Sequence, residues 1–486
     1  MTDISTMRQG AANGKAAWLG LSALSALLGA LSRSPTAMLL LAGLLLPNLL
    51  SLATLSSVID VGLPPRTGCI LLYAALAMCA RRIPYTVTVA LFLGILAFDL
   101  VWTLSVSFGM RPHDLVAAID QARRVRVLTS PLYVVLLSVI LATTLSALFL
   151  LSRRDLLLRG NLFALLGGAL ALASLDYISN ADAHYNFGAM FGRDVPVESA
   201  ARQSGFTKVA GKNGRNVVFV VVESLGDLVD DEQQKRIAAP IYDPRVTAKY
   251  DISSGSVVYY GSTTSAEMRE LCNTREPFDE FPAKSGKTCL PARMAKAGYA
   301  TIAVHGFFSG MFARNAWYPR IGFTKMLFGE TLMPELERRC GTAFRGACDA
   351  DLAPTIVKEI AAEKKPAFVY WLTLNTHIPA APGEARAQFD CDNPDNGFGL
   401  PKVCRMAELW HDVFDVVAKL ALDPAVGPAE IVLVGDHAPP LWSRRGRGEF
   451  EAGRVPWYRL TPKNSKDGAV VSSLDRAEPG SASVTP

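Results

Sequence analysis

Hydrophobic residues follow different patterns in the two halves of the chain. Across residues 36–178 they are nearly continuous, with charges confined to short breaks. Beyond about residue 200 they fall into short runs separated by mixed polar sequence. Four of those runs, at 216–222, 300–304, 367–374 and 431–434, each stop at residues able to bind a metal or a phosphate. The stops are Glu223, His305, Asn375-Thr376-His377 and Asp436-His437. Runs of this length and composition predict buried strands of a mostly parallel sheet. Helical patterns at 263–272, 291–298 and 350–363 lie between them, as in βαβ units. Ligands of open α/β sheets bind just beyond the carboxyl ends of the strands, so the four ends predict one site. Three of the chain's six histidines sit at these ends, which makes metal-assisted chemistry the expectation.

The first half predicts about five membrane helices, at 37–58, 67–80, 84–108, 131–152 and 160–178, of which 67–80 is short for a span. Residues 16–32 are also apolar and read as a further span or an interfacial helix. Arg81 and Arg82, then Arg153, Arg154 and Arg159, occupy two of the breaks. Placing both breaks inside puts the C-terminal domain outside the membrane. Arg123, Arg124 and Arg126 then fall on the outer side, against the rule, and read as an interfacial segment. No small-residue cleavage site follows a signal-like segment, so the expectation is an anchored protein. The predicted organisation is a membrane domain at 1–178, a linker at 179–215, a soluble domain at 216–460 and a disordered tail at 461–486.

The net charge of +5 over 486 residues is modest, and no basic run has interleaved aromatics. Nucleic-acid binding therefore has no support. Six of eight cysteines lie in the soluble half, an even count that suits disulfides in an oxidising compartment. Sequential pairing, 272–289, 340–348 and 391–404, is the expectation among 15 possible arrangements.

Glu223, Asp436 and His437 supply two carboxylates and an imidazole, a set suited to zinc or manganese and less exclusively to magnesium. A hydroxyl that also reacts would complete it. Thr263 is favoured because it opens a helix, whose N-terminus offers amides and positive potential to a phosphate. Residue types alone leave Thr264 and Ser265 open. Singly, each feature is ordinary: a capping carboxylate, a Gly-Asp-His turn, a Thr-Thr-Ser N-cap. The order in which they occur together is not.

That order resembles the sulfatase/alkaline-phosphatase superfamily: Val-Glu-Ser (222–224), Gly-Ser-Thr-Thr-Ser-Ala-Glu (261–267), His-Gly then Met-Phe-Ala-Arg (305–314), Leu-Asn-Thr-His-Ile-Pro (374–379) and Gly-Asp-His (435–437). Within it the chain is similar to membrane-anchored head-group transferases: lipoteichoic acid synthases, phosphoglycerol transferases and lipid A phosphoethanolamine transferases. The resemblance implies an alkaline-phosphatase-like α/β/α sandwich behind an N-terminal helical membrane domain in a bacterial cytoplasmic (inner) membrane. It implies metal ligation by Glu223, Thr263, Asp436 and His437, with Thr263 as nucleophile and Thr264 the alternative. His305, Arg314 and His377 fall on head-group and phosphate contacts, and His377 also on a candidate leaving-group acid. A membrane phospholipid is the implied donor and an envelope glycan or glycolipid the implied acceptor.

Phe312 replaces the synthases' tryptophan, and the three local cysteine pairs favour the phosphoethanolamine transferases. The further histidine those enzymes carry after Gly-Asp-His is absent here. Phosphoglycerol is the favoured group on balance. The alternatives are phosphoethanolamine transfer, hydrolysis, or a non-catalytic polymer-binding role. Cys289-Leu-Pro-Ala-Arg293 also fits the formylglycine signature of sulfate-ester hydrolases, but it lies outside the nucleophile's place in the order of motifs.

Overall fold

The computed structural model describes residues 34–55, 60–118, 131–180 and 197–463. The chain divides into two compact units, one of residues 1–107 and 131–184, the other of 108–130 and 185–486. Residues 16–32, Arg123, Arg124, Arg126 and the tail beyond 463 lie outside the described residues, so the expectations placed on them are not addressed.

In the first unit, Tyr85–Phe108, Tyr133–Leu151 and Leu162–Ser179 are long and apolar enough to cross a membrane. Thr67–Ala80 is a shorter apolar helix. The predicted span at 37–58 is not continuous. Pro35–Leu40 passes into a π-helical turn at Leu41–Leu45, and a new helix starts at Leu49. Pro47 has no amide to continue the ladder, and the Asn48 side chain turns back to donate to the Leu44 carbonyl at 2.8 Å. A polar knot packs beside this break. Arg66 pairs with buried Asp99, donates to Ser51 Oγ at 2.9 Å, and gives its backbone amide to Asp176 at 2.7 Å. Buried charges in apolar surroundings are held this way, by partners for every group.

The second unit is built on a seven-stranded sheet. We number its strands β1 (Val217–Val222), β2 (Tyr250–Val258), β3 (Ala300–His305), β4 (Lys325–Leu327), β7 (Ala367–Leu372), β8 (Glu430–Gly435) and β9 (Arg454–Pro462), in the spatial order β2-β9-β8-β1-β7-β3-β4. A small hairpin, β5 (Arg339–Cys340) with β6 (Gly346–Ala347), stands apart. β8, β1, β7, β3 and β4 run parallel, while β9 and β2 close one edge antiparallel. The four apolar runs are thus the four adjacent central strands.

Alternate residues of these strands enter two separate cores. Val218, Val220 and Val222 pack with Val369, Trp371 and Leu433 under helices α1 (Asp231–Ala238), α4 (Ala353–Ala362) and α5 (Pro401–Leu422). Val217, Phe219 and Val221 pack with Tyr370, Val432 and Val434 under α2 (Thr263–Cys272) and α3 (Leu290–Lys296). The period-2 alternation of a strand buried on both faces gives this α/β/α sandwich. Residues 197–209, assigned to the linker on sequence, contribute to the second core: Phe206 rests against Phe219 at 6.0 Å between ring centres. All three sequential disulfides form, Cys272–Cys289, Cys340–Cys348 and Cys391–Cys404.

Candidate active site

The parallel register aligns the strand ends. Val222 of β1 pairs with Gly435 of β8, so the next residues, Glu223 and Asp436, emerge side by side. Gly435 has to be glycine: a Cβ there would lie 1.9 Å from the Leu225 carbonyl oxygen, where the chain after Glu223 folds back. Ser224 makes that fold with φ of 54°, a left-handed conformation that costs a non-glycine residue energy and concentrates at functional sites. Its amide donates to Asp436 Oδ1 at 2.7 Å, and its hydroxyl to Glu223 Oε1 at 2.9 Å.

Glu223, Asp436 and His437 bring one ligand atom each within 4.8 Å of the others. Thr263 joins them from the first turn of α2. Its hydroxyl donates to Glu223 Oε2 at 3.1 Å and lies 3.5 Å from His437 Nε2. Thr264 is placed elsewhere: its hydroxyl lies 3.3 Å from Ser262 Oγ.

The donor set fits a divalent cation on three counts. Asp436 Oδ1 accepts two backbone amides, from Ser224 and from His437 at 2.6 Å. Its fully buried Oδ2 has no hydrogen-bond donor. His437 Nδ1 lies 2.9 Å from the Ala438 carbonyl, an acceptor only, so Nδ1 carries the proton and the Nε2 lone pair faces the carboxylates. Nε2 stands 3.3 Å from Asp436 Oδ2 and 3.8 Å from Glu223 Oε1. The electrostatics agree. Burial and neighbouring Glu223 push the Asp436 carboxyl well above its ordinary range. Burial acts on Glu223 too, but His377 and His437 outweigh it and hold that carboxyl below its usual value. Two buried carboxylates sharing one proton is the state a cation replaces.

The remaining predicted residues border this centre in different ways. His305 ends β3, buried, with Nδ1 donating to the Leu372 carbonyl at 3.0 Å. Burial, reinforced by Arg314, lowers its pKa to about 3, so it works as a neutral imidazole. His377 is half-buried, donates through Nδ1 to its neighbour's carbonyl at 3.1 Å, and packs on Phe344 with ring centres 4.0 Å apart and planes tilted by 40°. Arg314 is buried and locked by Glu267, at 2.9 Å from Nη2 and 3.1 Å from Nε. Burial alone would lower its pKa, and Glu267 more than offsets that.

Several residues that hold the centre were missed on sequence. On α2, Glu267 also accepts from Tyr318 and from Tyr370 at 3.3 Å. Arg269, wholly buried, donates to the Gly435 and Asp436 carbonyls at 2.9 and 3.2 Å and to Glu270 at 2.8 Å. Glu270 in turn takes the Ala200 and Ala201 amides. The Thr373 hydroxyl accepts the Glu223 amide at 2.9 Å, and Thr376 donates to the Glu223 carbonyl. Asp349 accepts the Leu374 and Asn375 amides at 2.8 and 2.7 Å, fixing the loop that carries His377. Cys289 is bonded to Cys272, and a disulfide sulfur is not a formylglycine precursor.

The described structure is similar to several solved ones. They include the lipoteichoic acid synthase LtaP from Listeria monocytogenes, at 16% identity over 52% of this chain and 67% of that one, TM-score 0.40. The phosphoglycerol transferase GacH of Streptococcus pyogenes, solved with sn-glycerol-1-phosphate, shows 17% identity over 54% and 73%, TM-score 0.36. The C-terminal periplasmic domain of EptC from Escherichia coli shows 15% over 52% and 74%, TM-score 0.36. A search of curated proteins found no match. Residues 215–454 match the family model of sulfatases. That span runs from the threshold of β1 to the start of β9 and contains Glu223, Thr263, Asp436 and His437, so residues 215–454 form a sulfatase-family domain.

Proposed function

We propose that this protein transfers a phospho-alcohol head group, phosphoglycerol by preference, from a membrane phospholipid to an envelope glycan or glycolipid. One observation carries the reading: a threonine hydroxyl opens a helix within reach of Glu223, Asp436 and His437, beside a carboxylate oxygen with no donor. Three apolar helices of spanning length among the described residues suit a lipid donor.

Glu223, Thr263, Asp436 and His437 would hold the metal, zinc or manganese by their donor types and magnesium as the harder alternative. A bound divalent cation lowers the pKa of a hydroxyl and offsets charge on phosphate oxygens. Thr263 Oγ1 releases its proton to solvent, attacks phosphorus in line and forms a new P–O bond. The bond to the diacylglycerol oxygen breaks, and that oxygen leaves with a proton. His377 is the proposed source of the proton through Nε2, the nitrogen not committed to the Ile378 carbonyl. In the second step an acceptor hydroxyl attacks the same phosphorus and gives its proton back to Nε2 of His377, while Thr263 Oγ1 leaves and takes a proton from solvent. Arg314 steadies the non-bridging oxygens, with Glu267 fixing its guanidinium plane. Neutral His305 offers a lone pair to a head-group hydroxyl.

Phosphoethanolamine is the second reading, favoured by the three short-range disulfides. The test is diacylglycerol release from phosphatidylglycerol and phosphatidylethanolamine micelles by the full chain, with and without zinc or manganese. Metal-dependent release from phosphatidylglycerol supports the reading. Release from phosphatidylethanolamine alone replaces the head group. Release from neither refutes it.

A further inference from the structure

Residues 108–130 lie in sequence between two helices of spanning length, yet group with the sulfatase-family unit. The described part of that segment, 109–118, makes two backbone-level contacts that the sheet does not need. The first is with the loop entering α2. Gly109 and Gly261 both adopt positive φ, 60° and 65°. A Cβ on Gly109 would lie 2.8 Å from the Gly261 carbonyl carbon. Only glycine permits that approach in that conformation, and Gly261 stands two residues before Thr263.

The second contact is with the turn leading to Arg314. The short helix Pro112–Ala118 packs against Met311–Ala313. Phe312 and Ala313 there hold φ of 54° and 51°, strained values for residues with side chains. A charged clamp fastens the segment. Arg111 donates to Asp114 at 2.7 Å and to Asp279 at 2.9 Å, with its guanidinium 6.0 Å from the Phe278 ring centre. Phe278 in turn packs on Phe312 and Trp317. The segment therefore lies against both the loop entering α2 and the turn before Arg314, and its chain continues directly from the apolar helix Tyr85–Phe108.

We infer that residues 109–118, clamped by Arg111 and Asp279, are a donor-recognition element that holds a phospholipid's phosphodiester in line with Thr263. The inference rests on the function proposed above. A soluble phosphodiester reaches the same metal centre but has no diacylglycerol to align, so it does not need the element. The clamp's role is positioning, and loosening it acts on lipid turnover selectively.

The experiment compares the full chain in detergent micelles with its Asp279→Ala and Arg111→Ala variants on two donors, phosphatidylglycerol and the soluble probe bis(p-nitrophenyl) phosphate. Release from the lipid is expected to fall by about tenfold or more, while turnover of the soluble probe stays within about twofold, since small misplacements of a reacting group cost on that scale. Unchanged lipid turnover in both variants overturns the inference. An equal fall on both donors also overturns it, because the segment would then be a general structural support. No lipid turnover by the unsubstituted chain defeats the functional reading itself, and this inference with it.

Discussion

At Asp436 one carboxylate oxygen takes two backbone amides and the other takes none. An asparagine there can keep the amide-accepting oxygen but presents an amide nitrogen or a weaker ligand to the cation. Asp436→Asn is therefore expected to weaken zinc or manganese binding by well over about tenfold, read by titration calorimetry. The metal-free variant should melt no lower than the parent at pH 8, because the crowding with Glu223 is gone. Asp349 gives a pH prediction. Burial raises its pKa from 3.8 to about 7, although two amides pull it down. Between those values the folded state holds a proton that the unfolded state has lost. The Asp349 contribution to stability is therefore full below pH 3.8 and declines as pH rises towards 7. Asp349→Asn keeps an oxygen for the two amides and does not titrate, so its stability should fall less than the parent's over that range in urea unfolding.

The element on which the site depends most is α2. Its buried Glu267, Arg269 and Glu270 tie the helix to the Arg314 turn, to the Gly435–Asp436 carbonyls and to residues 200–201. Arg269→Met removes the bridge and leaves Glu270 without its cation. A loss of about 3–5 kcal/mol is expected from chemical denaturation, with weaker metal binding because Asp436 loses its anchored carbonyl. These three residues were not legible in the sequence, since a buried charge has no periodic signature and α2 looks like an ordinary polar helix. The residues that gather at the strand ends were legible for the opposite reason. Four apolar runs with no polar interruption mark central parallel strands, and the polar residue ending each run has only one place to be. β2, an edge strand, escaped notice because Ser253, Ser254 and Ser256 break its apolar pattern, and β9, inside the sheet, because Pro456, Arg459 and Thr461 break its own. The helix break at Pro47–Asn48 was hidden by a hydropathy that continues across it.

Over the whole molecule, apolar helices and a disulfide-braced sulfatase-family domain share one chain. The Cys272–Cys289 bridge spans 17 residues and ties the end of α2 to the start of α3. Replacing both cysteines by serine is expected to cost about 3 kcal/mol of stability by the loop-entropy argument. Thermal unfolding with and without reductant checks this: the parent should drop under reduction by at least as much as the double variant differs from it. The proposed lipid donor fits apolar helices in the same chain, since a phospholipid cannot leave a bilayer cheaply.

In the proposed mechanism Thr263 carries the head group between donor and acceptor. Peptide mass spectrometry of the full chain, after incubation with phosphatidylglycerol and zinc or manganese and without acceptor, tests it most directly. The account predicts a phosphoglycerol adduct on Thr263 that is absent without metal and absent in Thr263→Ala. An adduct on Thr264 instead, or diacylglycerol release with no adduct on any residue of α2, would contradict it.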